Sequence, residues 1–121
     1  MTWIAVAIAG ALGASSRYAI GLAVGVRSFP WTTLSINMAG SFLLAFLLAG
    51  PFVERPSSTI AIASTLGFLG AFTTFSTFSY ETVALVRDDR LPAAAAYVAA
   101  SMLLGLVAAA LGYWLGRLLS N

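Results

Sequence analysis

The stretch Gly67-Phe68-Leu69-Gly70-Ala71-Phe72-Thr73-Thr74-Phe75-Ser76-Thr77-Phe78-Ser79-Tyr80-Glu81 decides how this chain folds. It sits inside an apolar segment, residues 57–86, that would make a continuous helix about 45 Å long, against a hydrocarbon core of about 30 Å. Such a helix must tilt or break. Glycine, β-branched Thr and Ser all lower helix propensity, and hydroxyls can bond to backbone carbonyls, so a break is expected near Thr73 to Ser76. Unwound backbone at membrane depth is tolerated only where it is buried in protein or faces water or an ion. The break therefore points to an ion site.

Outward from this stretch, three more apolar segments cover residues 3–26, 31–53 and 91–116. Each exceeds the roughly 20 residues a spanning helix needs, and the connections are too short for a second domain. The expectation is an all-α integral membrane protein, a single domain over residues 1–121 with four transmembrane helices, the third broken. Trp3, Trp31 and Trp114 lie near segment ends, at headgroup level, and Pro30, Pro51, Pro56 and Pro92 lie at or near the connections. Met1-Thr2-Trp3 lacks a basic n-region and no small-residue cleavage signal follows, so the first segment reads as a retained span.

Composition narrows the function. With 60% hydrophobic and 8% charged residues, the chain is far from the roughly 25% charged of a soluble domain. It has no Cys, His or Lys, so thiolate and imidazole metal sites, Ser-His-Asp and Cys-His catalysis, lysine Schiff bases and the P-loop lysine all lack their atoms. No enzyme activity and no nucleic-acid partner is expected; the partner is membrane lipid. Arg55 and Arg117 fall on one side, and Arg27, Arg87 and Arg90, with Arg17 if it reaches that surface, on the other. That near balance is a weak positive-inside bias, compatible with insertion in both orientations. No internal repeat supplies the inverted copy from which many transporters build a midplane site, but an antiparallel homodimer would, and small residues along segments 2, 3 and 4 suit close helix contact.

Five hydroxyls in the seven residues 73–79 interleave with Phe75 and Phe78, which lie at i, i+3 spacing on one face. Phenyl edges are electropositive and can attract an anion. For the two rings alone, plain core packing is the stronger reading. Asn37, in an uncharged span, reads as interhelical glue or as a donor to an ion. Arg17 costs roughly 2.5–3.5 kcal/mol if it sits near the bilayer centre, so it snorkels or faces protein or water. Glu81 reads as an anion repeller, a proton carrier or a helix-end residue. Arg87-Asp88-Asp89-Arg90 is a solvated turn.

The run Gly70-x-x-Thr73-Thr74-Phe75-Ser76-Thr77-Phe78-Ser79-x-Glu81 resembles the signature of the Fluc (CrcB) fluoride channels. Gly13-Ala14-Ser15-Ser16-Arg17-Tyr18 is similar to that family's first-helix motif, and Pro30-x-x-Thr33-Leu34-x-x-Asn37-x-x-Gly40-Ser41-Phe42 to its second-helix motif. Length and four-span layout match over the whole chain. The resemblance implies passive, fluoride-selective export through an antiparallel, dual-topology homodimer in the cell's inner or plasma membrane, with two pores and a structural Na⁺ at the dimer centre. It implies that Gly70 and Thr73 offer backbone carbonyls to the Na⁺ and that ring edges of Phe75 and Phe78 meet fluoride. By the same resemblance, Asn37 reaches the pore with its amide, Ser76 and Thr77 add hydroxyls at the break, and Thr33 sits near a pore mouth. Glu81 lies farther along the path, Tyr97 and Ser101 form a polar track, and Arg17 has a structural or electrostatic role near the entrance. Where the family's track can continue with a further hydroxyl this chain has Gly105, and Ala9, Thr32, Ala45 and Ala71 stand where glycine is usual.

Two other classes compete. A small dual-topology multidrug or cation antiporter also has four spans, but it needs a membrane-embedded acid in its first helix, where this chain has only Arg17. A non-transporting scaffold needs no chain of Thr, Ser, Asn and Phe at membrane depth.

Overall fold

The structure is a computed structural model, and it describes residues 1–53 and 57–120. Arg55 and Pro56, used above for charge balance and boundaries, lie outside the described residues. The described chain forms four long apolar helical spans, one of them broken. Helix α1 covers Thr2–Val24 and α2 covers Trp31–Ala49. The third span, Thr59–Arg87, divides into α3 (residues 59–72) and α4 (Phe75–Arg87), and α5 runs over Leu91–Leu119.

Local chemistry sets these limits. Gly25 ends α1 at φ +70°, a conformation that costs glycine little. The second helix stops at Ala49 rather than near residue 53, since Pro51 has no N–H to continue the ladder. Ser58 starts α3 by accepting the Ala61 N–H at 3.2 Å, and Pro92 occupies the first turn of α5, where a missing N–H costs nothing. The last helix continues to Leu119, past the expected residue 116, and Ser120 then ties the C-terminus to the Ala49 carbonyl at 3.0 Å. At the same end the Thr2 and Thr59 hydroxyls meet at 2.9 Å. At the opposite end the Arg90 guanidinium donates to the Ser28 carbonyl. The spans thus run alternately up and down, with both termini at one end.

Packing relies on close backbone approach. Gly13 of α1 lies against the Phe68 carbonyl, and Gly112 of α5 against the Phe42 carbonyl, so closely that a Cβ at either would overlap the oxygen. Gly116, one turn on, repeats the contact with α2, where a Cβ would come within 2.6 Å of the Phe46 carbonyl. This is the small-xxx-small logic by which membrane helices gain dispersion contact when lipid offers no hydrophobic drive. The buried cluster is Leu34, Phe78, Leu85, Ala94 and Tyr97, seated among α2, α4 and α5. Most other large apolar side chains point outward, as a bilayer solvent allows.

The break falls at Thr73 and Thr74, both extended (ψ 159° and 116°), and Ser76 already belongs to α4. Upstream, residues Ala63–Leu69 adopt a wide π-helical course.

Candidate functional site

Three helices converge on the break. Thr74 starts α4, its hydroxyl oxygen accepting the Thr77 N–H at 3.2 Å and donating to the Thr77 hydroxyl at 2.9 Å. Asn37 reaches across from α2 and takes both free backbone groups of Thr74: its carbonyl accepts the Thr74 N–H at 2.9 Å, and its amide donates to the Thr74 carbonyl at 3.1 Å. An open backbone in hydrocarbon would cost several kcal/mol per group. The Asn37 side chain removes that cost while leaving one amide N–H for another acceptor. Because the Thr74 N–H turns to Asn37, the Gly70 carbonyl loses the donor that a continuous helix would give it.

A cavity of about 380 Å³ opens beside the break. Asn37, Gly70, Thr73, Thr74, Phe75, Phe78 and Ser101 all line it, with Gly105. The Phe75 and Phe78 rings stand 5.7 Å apart, tilted by 45°; Phe78 is buried, whereas Phe75 is 74% exposed at the cavity's open side. The Ser101 hydroxyl oxygen is buried and has no hydrogen-bond partner among the described residues. A buried orphan hydroxyl is costly, and here it lines a cavity able to hold a polar guest. Nothing lies within 4 Å of a Cβ added at Gly105, so the missing hydroxyl there leaves open space.

From this cavity the polar residues continue in one direction. Tyr97 is wholly buried, its ring 5.1 Å from Phe78, and its hydroxyl donates to Glu81 at 2.7 Å. The other Glu81 oxygen accepts from the Thr33 hydroxyl at 2.9 Å. Glu81 in turn lines a second cavity of about 430 Å³ at the end of the molecule, with Arg27, Ser28, Phe29, Asp88 and Arg90. Tyr97 thus touches a residue of each cavity and stands between them.

A family model described as "CrcB-like protein, Camphor Resistance (CrcB)" matches residues 4–113, which contain the whole constellation. The chain belongs to this family. Among CrcB relatives, a protein of Bacillus thuringiensis subsp. konkukian named "Fluoride-specific ion channel FluC 1" is 46% identical over 98% of this chain and 90% of its own length. One from Idiomarina loihiensis, "Fluoride-specific ion channel FluC", is also 46% identical, over 85% of this chain and 82% of its own length. A third, of the same name from Geobacter sulfurreducens, is 40% identical over 95% and 93%.

Of the CrcB residues singled out in the sequence, the structure brings Asn37, Gly70, Thr73, Phe75, Phe78 and Ser101 to one cavity, and Thr33, Glu81 and Tyr97 into one hydrogen-bonded trio. Ser76 is exposed on the first turn of α4, its hydroxyl 3.4 Å from that of Thr74. Thr77 is bonded to Thr74. Arg17 is half-buried on α1 and belongs to neither lining. Asn37 bonds between helices, as one of its two sequence readings had it, and it also lines the cavity. The residue sequence reading passed over is Thr74, whose backbone and hydroxyl organise the break; the capping pattern Thr74-x-x-Thr77 was the available signal.

Proposed function

We infer that this chain is a fluoride-specific ion channel, an ion conductor without catalytic chemistry. The observation that carries this reading is the line of polar groups in which Tyr97 stands between the cavity at the broken helix and the cavity at the protein's end, bonded to Glu81 beside Thr33. The names of the CrcB relatives support the identity of the ion. Release of fluoride, but not chloride, from liposomes holding the purified protein tests it.

The chemistry fits a small, strongly hydrated anion. Two guanidinium groups, Arg27 and Arg90, line the outer cavity together with two carboxylates, Asp88 and Glu81, so its charge is mixed and the arginines offer local anion donors without a net positive field. Deeper in, the Thr33 and Tyr97 hydroxyls rest on Glu81 and can turn to a passing ion, and Ser101, the spare Asn37 N–H and the phenyl edges add weak donors. Many weak donors in series replace water without trapping the ion, and a larger halide gains less from them. Conduction is passive and lowers cytoplasmic fluoride once the ion has accumulated.

The working unit in this reading is an antiparallel, dual-topology homodimer in the inner or plasma membrane. The cavity at the break is open on the side where Phe75 is exposed, and a second copy supplies the missing wall. The backbone also suits a structural Na⁺ there. The Gly70 carbonyl, freed of its helical donor and on an exposed face, is the hard oxygen ligand such a cation prefers, and Thr73 follows it in extended backbone. A cation so placed would add fixed positive charge beside the anion path.

The antiporter reading finds no support in the site, because Glu81, on the third span, is the one acid within the spans, and α1 offers only Arg17.

A further inference from the structure

The wide π-helical course of Ala63–Leu69 is a second irregularity of the third span, upstream of the break at Thr73 and Thr74. Just ahead of it, two hydroxyls converge on a single backbone oxygen: Thr65 donates to the buried Ala61 carbonyl at 2.7 Å, and Ser64 to the same carbonyl at 3.1 Å. One hydroxyl bonded four residues back is ordinary in a membrane helix. Two on one carbonyl tie Ser64 and Thr65 back to the turn that precedes the point where the helix widens.

The widening has a geometric use. Upstream, the span is fixed by the Ser58 cap and by the Thr2–Thr59 contact. Downstream, it is fixed by Thr73 lying against Gly40 so closely that no Cβ would fit, and by the Thr74–Asn37 pair of hydrogen bonds. A π turn holds one residue more than an α turn, so its removal would rotate everything that follows by about 100° and shift it by about 1.5 Å. Both anchors are met together only with the extra residue in place. Thr65 also lines the cavity at the break, and its own carbonyl accepts from the Gly70 N–H.

We propose that Thr65 is a positioning residue for conduction: its hydroxyl holds the π turn and so sets the register at which Gly70, Thr73 and Thr74 meet Asn37. The inference rests on the fluoride-channel reading, and its test separates the two. Fluoride efflux is measured from liposomes holding the full-length native protein, Thr65→Val, which keeps the shape and loses the hydroxyl, Thr65→Ser, which restores the hydroxyl, and Ser64→Ala. Amide hydrogen exchange over residues 66–74 is followed on the same proteins. The expected result is a folded Thr65→Val with flux reduced about tenfold, the scale of one lost hydrogen bond, faster exchange at Thr73 and Thr74, recovery of both in Thr65→Ser, and a smaller effect of Ser64→Ala. Native flux in Thr65→Val overturns the proposal, as does failure of that variant to fold, which would make Thr65 a stability residue instead. If the native protein itself releases no fluoride, the channel reading falls, and exchange alone then decides the inference: unchanged exchange in Thr65→Val overturns it.

Discussion

Asn37 on α2 holds Thr74 of the broken helix by both backbone groups, accepting its N–H at 2.9 Å and donating to its carbonyl at 3.1 Å. One side chain therefore makes an interrupted backbone tolerable at membrane depth and fixes the wall of the adjoining cavity. Asn37→Ala leaves two part-buried backbone groups without partners, at about 1–3 kcal/mol each. The expected outcome is a lower unfolding temperature in detergent together with loss of fluoride flux. Asn37→Asp keeps the acceptor and loses the donor, so it should recover part of the stability and little of the flux.

Tyr97 and Glu81 give a second prediction. Tyr97→Phe removes the hydroxyl 2.7 Å from Glu81 but keeps the ring against Phe78 and Phe29. Packing should survive, with the unfolding temperature close to native, while flux falls about tenfold, the scale of one ordinary hydrogen bond lost from the path. Equal loss of flux and of folded protein would make the hydroxyl a structural strut and nothing more.

Glycines offer a contrast within one chain. Gly112→Val drives a side chain into the Phe42 carbonyl of α2, and overpacking of this kind costs typically about 1–3 kcal/mol. Gly21→Ala, near the end of α1, meets nothing within 4 Å and should gain roughly 0.5–1 kcal/mol through helix propensity. Thermal unfolding in detergent, read side by side, checks both signs.

The proposed dimer is tested by mass. Light scattering on the purified protein, corrected for bound detergent, should give twice the chain mass, and cysteine pairs placed for an antiparallel arrangement around exposed Phe75 should cross-link. A monomer that conducts would overturn the proposed unit.

The four spans were legible because lipid imposes a harsh rule: residues 91–116 carry no charge, and no other fold satisfies so apolar a stretch. The break was legible from Thr73 and Thr74 for the converse reason, that a run of Thr and Ser in an overlong helix weakens it. What sequence could not supply was partnership. Periodicity put Tyr97 and Ser101 on one face of a helix, but not Tyr97 on Glu81, nor Thr33 on the other carboxylate oxygen. Those pairings depend on helix rotation, set by close contacts such as Gly112 with Phe42 and by the π turn at Ala63–Leu69, neither of which hydropathy records.

The most direct test is fluoride efflux from liposomes containing the purified protein, with chloride followed in parallel and Phe75→Ile beside the native chain. Conduction along the Phe75–Tyr97–Glu81 path predicts rapid fluoride release with little chloride movement, abolished in Phe75→Ile although that variant folds and reconstitutes normally. Native protein that is folded, reconstituted and silent to fluoride would contradict the channel function, and unchanged flux in Phe75→Ile would contradict the path.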